Sequence, residues 1–88
     1  MTFRIEFTKS AAKALVAIPR KDQRRIARKI ETLAENPPAP AQTKMKGDNP
    51  FHRVRVGDYR VIYEIQNEIL LILILKIGHR KDVYRQIS

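Results

Sequence analysis

The nine residues from Ile69 to Ile77 hold eight aliphatic side chains and one lysine, Lys76. Such a run has no polar side to show to water. It is too short to span a bilayer as a helix, which needs about 20 apolar residues. It reads as a central strand, covered on both faces and paired at both edges. A fold for this chain must therefore build a sheet around it.

Neighbouring stretches supply the partners. His52-Arg53-Val54-Arg55-Val56 alternates polar and apolar, and Gly57-Asp58 signals a turn. Tyr59 to Ile65 alternates again, with Tyr59, Val61, Tyr63 and Ile65 on one face and Arg60, Ile62 and Glu64 on the other. Gln66, Asn67 and Glu68 turn the chain into the apolar run, and Gly78 is expected to end it. Connections this short make the last three strands antiparallel. At the other end Phe3, Ile5 and Phe7 alternate with Arg4 and Glu6, a short half-buried strand.

Two helices are expected between them. Thr8 or Ser10 caps the first, and Ala11, Ala14, Leu15 and Ile18 recur at helical spacing. Pro19 forces a corner, because a residue before proline disfavours the helical region. The second helix is expected from Lys21 to Glu35, with Ile26, Ile30 and Leu33 as its apolar stripe. Asn36, Pro37, Pro38 and Pro40 stop it and open a loop to about Pro50 that carries Lys44 and Lys46. The fold class is α+β: a strand, a helical hairpin, then a three-stranded antiparallel meander. The helices should cover one face of a small sheet and leave the other for function. At 88 residues the chain suits one compact domain.

Charge narrows the partners. Lys and Arg number 18 against 9 acids, a formal charge of +9. An excess of this size on a short chain points to a polyanion. Arg20, Lys21, Arg24, Arg25, Arg28 and Lys29 crowd the start of the second helix, where positive charge opposes the macrodipole. With no cysteine, disulfides and thiolate metal sites are excluded, which fits a reducing cytoplasm. The two histidines lie far apart and the carboxylates lack ligand spacing, so no metal is expected. The first residues mix charge with apolar side chains, so no signal peptide is expected.

Arg53 and Arg55, two apart, share a side of their strand. Arg60 follows on the next strand, near Arg55 if the hairpin closes at Gly57-Asp58, and Arg80 and Lys81 come after the last. Separate stretches thus converge towards one basic surface; an ordinary solvated sheet face with scattered arginines is the plainer alternative.

Gly57-Asp58-Tyr59-Arg60-Val61-Ile62-Tyr63, followed by the apolar strand and by Ile77-Gly78-His79-Arg80-Lys81-Asp82-Val83-Tyr84, resembles the RelE branch of the RelE/ParE toxin superfamily. Lys44-Met45-Lys46-Gly47 resembles the basic segment that precedes the sheet in these toxins. The likeness spans nearly the whole chain, as one RelE-like domain over residues 1–88.

The resemblance implies a toxin of a type II toxin–antitoxin pair: a cytoplasmic, ribosome-dependent mRNA endoribonuclease without metal or other cofactor, held in a heteromeric complex by a RelB-like antitoxin. In such enzymes an RNA 2′-hydroxyl attacks the adjacent phosphate. Fixed cations aimed at the phosphoryl oxygens stabilise that transition state, and the planar fork of arginine suits the task.

Carried onto this sequence, the motif assigns Arg60 to the scissile phosphate. Arg80 neutralises the transition state or protonates the leaving oxygen. Tyr84 stacks on a base, orients the 2′-hydroxyl or assists proton transfer. His79 is a candidate acid or base. Arg53, Arg55, Lys44, Lys46, Lys81 and Arg85 are candidates for substrate binding. His52 alternates with Arg53 and so faces away from it, and Tyr59 and Tyr63 read as core.

Two features depart from the best-known members. Tyr84 follows Arg80 by four residues where they have more, and Arg53 and Arg55 stand where they have lysines. Arginine keeps the charge but is a poorer proton carrier, which shifts that task to Arg80, His79 or Tyr84. Two other readings remain open. One is a ParE-type DNA gyrase inhibitor of the same fold. The other is a non-catalytic RNA-binding module, although the few aromatic residues sit mostly at core-like positions.

Overall fold

A computed structural model describes residues 2–36 and 51–79. The elements are β1 (Arg4–Phe7), α1 (Lys9–Ala17), α2 (Arg20–Glu35), β2 (Phe51–Val56), β3 (Tyr59–Gln66), a 3-10 turn (Asn67–Ile69) and β4 (Leu71–His79). The class is the α+β arrangement expected from the sequence. Boundaries moved most at the apolar run: Ile69 and Leu70 belong to the turn before β4, and the strand continues through Gly78 to His79. Gly78 does not end it, because Arg60 on β3 pairs with it.

The sheet order is β1-β4-β3-β2. β2, β3 and β4 form the antiparallel meander, and β1 lies parallel to β4, with Ile5 opposite Ile72 and Phe7 opposite Ile74. The apolar run is thus paired at both edges. Leu70 makes the entry to β4 with φ 50°. Its carbonyl accepts from Arg4 N at 2.7 Å, which fixes the start of β1.

One irregularity decides which side chains reach which face. Ile62 pairs with Lys76 but Tyr63 pairs with Ile74, leaving Leu75 as the extra residue of a bulge. Ile72 and Ile74 then face the helices before the bulge, and Ile77 does so after it. Unbroken alternation would have sent Lys76 into the core in place of Ile77. Thr8 anchors the bulge: its hydroxyl donates to Leu75 O at 2.9 Å and accepts from Ala11 N at 3.1 Å as the cap of α1.

The core lies between the helices and one sheet face. Ala11 and Ile18, with Ile26, Ile30, Leu33 and Ala34 of α2, meet Val61, Tyr63, Ile72, Ile74 and Ile77. Each fully buried aliphatic side chain contributes about 1.5–3 kcal/mol relative to exposure. The corner at Pro19 is held by Gln23, whose Nε2 donates to Ile18 O at 2.7 Å and to Val16 O at 3.2 Å. These bonds satisfy carbonyls that the end of α1 leaves without helical partners. His52 is buried and stacks on Tyr63 with ring centroids 5.4 Å apart, so it is a core residue.

Candidate functional site

The sheet face away from α1 and α2 takes the residues that alternate away from the core. Directly opposed residues of an antiparallel pair share a face. Arg55 pairs with Arg60, and Arg60 with Gly78 on its other side. The next row is Arg53, Ile62 and Lys76. Three arginines from two strands therefore gather at the end of this face nearest the β2–β3 turn, and Lys76 of β4 stands in the second row with its ammonium drawn to Ser10 of α1. Like charges directly opposed on neighbouring strands repel, so such a row attracts anions.

Environment separates these cations. Arg53 and Arg55 are exposed. Arg60 is half-buried and its Nε is buried. Gly78 beside it adds no side chain to the row. Arg55 Nε donates to Gly57 O at 3.0 Å, which draws its stem towards the turn. Lys76 Nζ donates to Ser10 Oγ at 3.2 Å. Ile62 is fully buried yet lies outside the main core cluster, an apolar centre between Arg53 and Lys76.

Charge changes sign along the same face. Glu64 and Glu6 both flank Leu73, towards the opposite end from the arginines. Glu6 meets Arg4 at 3.1 Å and Glu64 accepts from Gln66 at 2.8 Å. The arginines of β2 and β3 thus stand at one end of the face, and Arg4, paired with Glu6, stands at the other. A phosphodiester laid across the β2–β3 end meets guanidinium groups from two strands, and such groups stabilise charge that grows on phosphoryl oxygens.

The expected site residues divide accordingly. Arg53, Arg55 and Arg60 come together. His79 does not join them: it pairs with Tyr59, and the two rings meet edge-on at 6.3 Å on the side of the helices. Arg80, Lys81, Tyr84, Arg85, Lys44 and Lys46 lie outside the described residues. Sequence reasoning missed Lys76. Its signal was a lone charge in an apolar strand, but the bulge that places it was not legible. Among the described residues no group of three or more His, Asp or Glu side chains is arranged to hold a metal ion. Among them too, no helix is long and apolar enough to cross a membrane.

Comparison with known proteins agrees with this architecture. Residues 5–84 match the family model of the ParE toxin of the type II toxin–antitoxin system parDE. A protein of Methanocaldococcus jannaschii named as a candidate RelE1 toxin is 33% identical, over 97% of this chain and 98% of its own. Among solved structures, the archaeal RelE of Pyrococcus horikoshii, crystallised with RelB, superposes with a TM-score of 0.74. It is 32% identical, covering 91% of this chain and 97% of that one. A free Escherichia coli RelE variant superposes at 0.81 over 100% of both chains, and at 19% identity it shares the fold. The meander, the helical hairpin and these relatives lead to one conclusion: the chain belongs to the RelE/ParE superfamily of type II toxin–antitoxin toxins.

Proposed function

We propose that this toxin is a metal-independent endoribonuclease that cuts mRNA on the ribosome, and that RNA lies on the cationic end of the sheet face away from α1 and α2. The observation that carries this reading is the Arg55–Arg60 pair, with Arg53 beside it and Gly78 on the far side.

Arg60 grips the non-bridging oxygens of the scissile phosphate, where partial burial strengthens its field. Arg53 and Arg55 bind the same or the neighbouring phosphate. The adjacent 2′-hydroxyl attacks phosphorus and loses its proton. The bond to the 5′-oxygen breaks and that oxygen takes up a proton, leaving a 2′,3′-cyclic phosphate and a 5′-hydroxyl. Dependence on the 2′-hydroxyl restricts the reaction to RNA. The motif assigns proton transfer and charge neutralisation to Arg80 and Tyr84. His79, held against Tyr59 on the helix side, takes no part. Lys44, Lys46, Lys81 and Arg85 contribute to substrate binding in this reading.

The regulator is a RelB-like antitoxin, as in the complexes solved for the relatives from P. horikoshii and E. coli. Its acidic segments complement this surface. A second reading, a ParE-type poison of DNA gyrase, is favoured by the ParE family model over residues 5–84. Mapping mRNA 5′ ends on ribosomes after controlled expression separates the two. New cuts that vanish in Arg60→Ala and Arg80→Ala support the nuclease. Growth arrest with intact mRNA and broken DNA refutes it in favour of the gyrase poison.

A further inference from the structure

The second helix carries more positive charge than the proposed site uses. Its two flanks differ. Ala27, Ile30 and Glu31 line a groove against Ile5 and Phe7 of β1. On the other flank Arg25, Arg28, Lys29 and Thr32 line a groove of about 340 Å³ with Val56 of β2. Lys21, one turn before Arg25, continues this flank. Among the described residues no carboxylate lines the second groove. Asp22 approaches Arg25 at 3.8 Å, through an exposed pair of the kind that holds little.

This flank meets the proposed RNA face at one point. A Cβ built on Gly57 would lie 3.3 Å from Arg25 Nη1, so the guanidinium rests directly over the β2–β3 turn. On the turn itself Arg55 Nε binds Gly57 O. The arginine row and the groove are thus continuous around the edge of the hairpin.

We propose that the α2–β2 groove is a second RNA-binding surface, which holds the sugar–phosphate backbone away from the cleaved nucleotide through Arg25, Arg28 and Lys29. This deepens the nuclease reading and takes from it only the identity of the polyanion. Three observations favour RNA over an acidic protein. Among the described residues the half-buried Val56 is the groove's one apolar lining side chain, so they offer a protein little pocket for the large apolar anchor on which interfaces depend. The cations follow one helix flank and continue into the phosphate-binding row, which suits a continuous chain of phosphates. They also lie outside the last turn of α2, where positive charge would complement the macrodipole, so helix stability does not account for them.

The test is direct binding of a labelled single-stranded RNA by the full chain across a salt series. The groove variant carries Arg25→Gln, Arg28→Gln and Lys29→Gln. A control with Lys13→Gln, Arg20→Gln and Arg24→Gln removes the same charge elsewhere. Each phosphate contact contributes about 0.7 to the slope of log affinity against log salt, so the groove variant should lose about 2 units of slope. The control should lose less than half of that. Equal losses in both variants reduce the effect to bulk charge and overturn the proposal. An unchanged slope in the groove variant overturns it too. So does retained RNA binding with lost affinity for polyglutamate, which assigns the groove to an acidic protein.

Thermal melting of the groove variant should match wild type or exceed it. If the triple variant does not fold, Arg28→Gln alone should remove about one third of the effect, roughly 0.7 units of slope. Groove-dependent binding without cleavage in wild type would sink the nuclease reading and leave the groove. Cleavage with groove-independent binding would do the reverse.

Discussion

Gly57→Ala isolates the turn that carries Arg55 and Arg60. Gly57 has φ +61°, and among the described residues the other positive φ falls at Leu70, so Asp58 does not share this conformation. A positive angle at the first central position alone is the II′ pattern of two-residue hairpins. An L-residue there costs about 1–2 kcal/mol. Loss of glycine freedom in the unfolded chain returns roughly 0.4–1 kcal/mol. The new Cβ would meet Arg25 Nη1 at 3.3 Å, but that atom ends a flexible side chain and can shift. The net loss should be about 1 kcal/mol, dominated by the backbone.

For a domain of this size that lowers Tm by about 4–8 °C. Calorimetry of Gly57→Ala, Arg25→Ala and the double variant checks the division. Backbone strain predicts additivity within about 0.5 kcal/mol. A neutral Gly57→Ala would show that the turn does not hold this conformation. A loss that disappears in the Arg25→Ala background would show that the clash, and not the backbone, sets the cost.

Other outcomes follow from the same geometry. Arg60→Ala should lower the rate of mRNA cleavage by about 10²–10³-fold, the scale of losing one preorganised charge-stabilising group, with Tm near wild type; single-turnover kinetics measures it. Arg53→Ala and Arg55→Ala should each reduce the salt slope of RNA binding by about 0.7, and an unchanged slope would remove that residue from the interface. Thr8→Ala loses both the cap of α1 and the bond to Leu75 O and should cost about 1–2 kcal/mol in chemical denaturation. Ile30→Ala empties a fully packed site between α2 and the sheet and should cost about 2–5 kcal/mol; a loss below 1 kcal/mol would contradict that packing.

The sequence alone determined the element types, the alternation of β2 and β3, and the core. Those rest on local periodicity: a residue's neighbours two or four positions away already say which side it shows. Hence His52, Tyr59 and Tyr63 fell correctly on the apolar side, and Arg60 on the other. The tertiary structure alone decided matters that depend on distant pairing. β1 joins β4 in parallel because an apolar strand needs partners at both edges, and nothing near Phe3–Phe7 says which strand it will meet. The bulge at Leu75 sends Lys76 out and Ile77 in, because Thr8, far off in sequence, takes the spare carbonyl. Register puts Arg55 opposite Arg60 and gives His79 to Tyr59, on the face away from Arg60. Pairing register is a property of two strands together, and a single strand's sequence does not contain it.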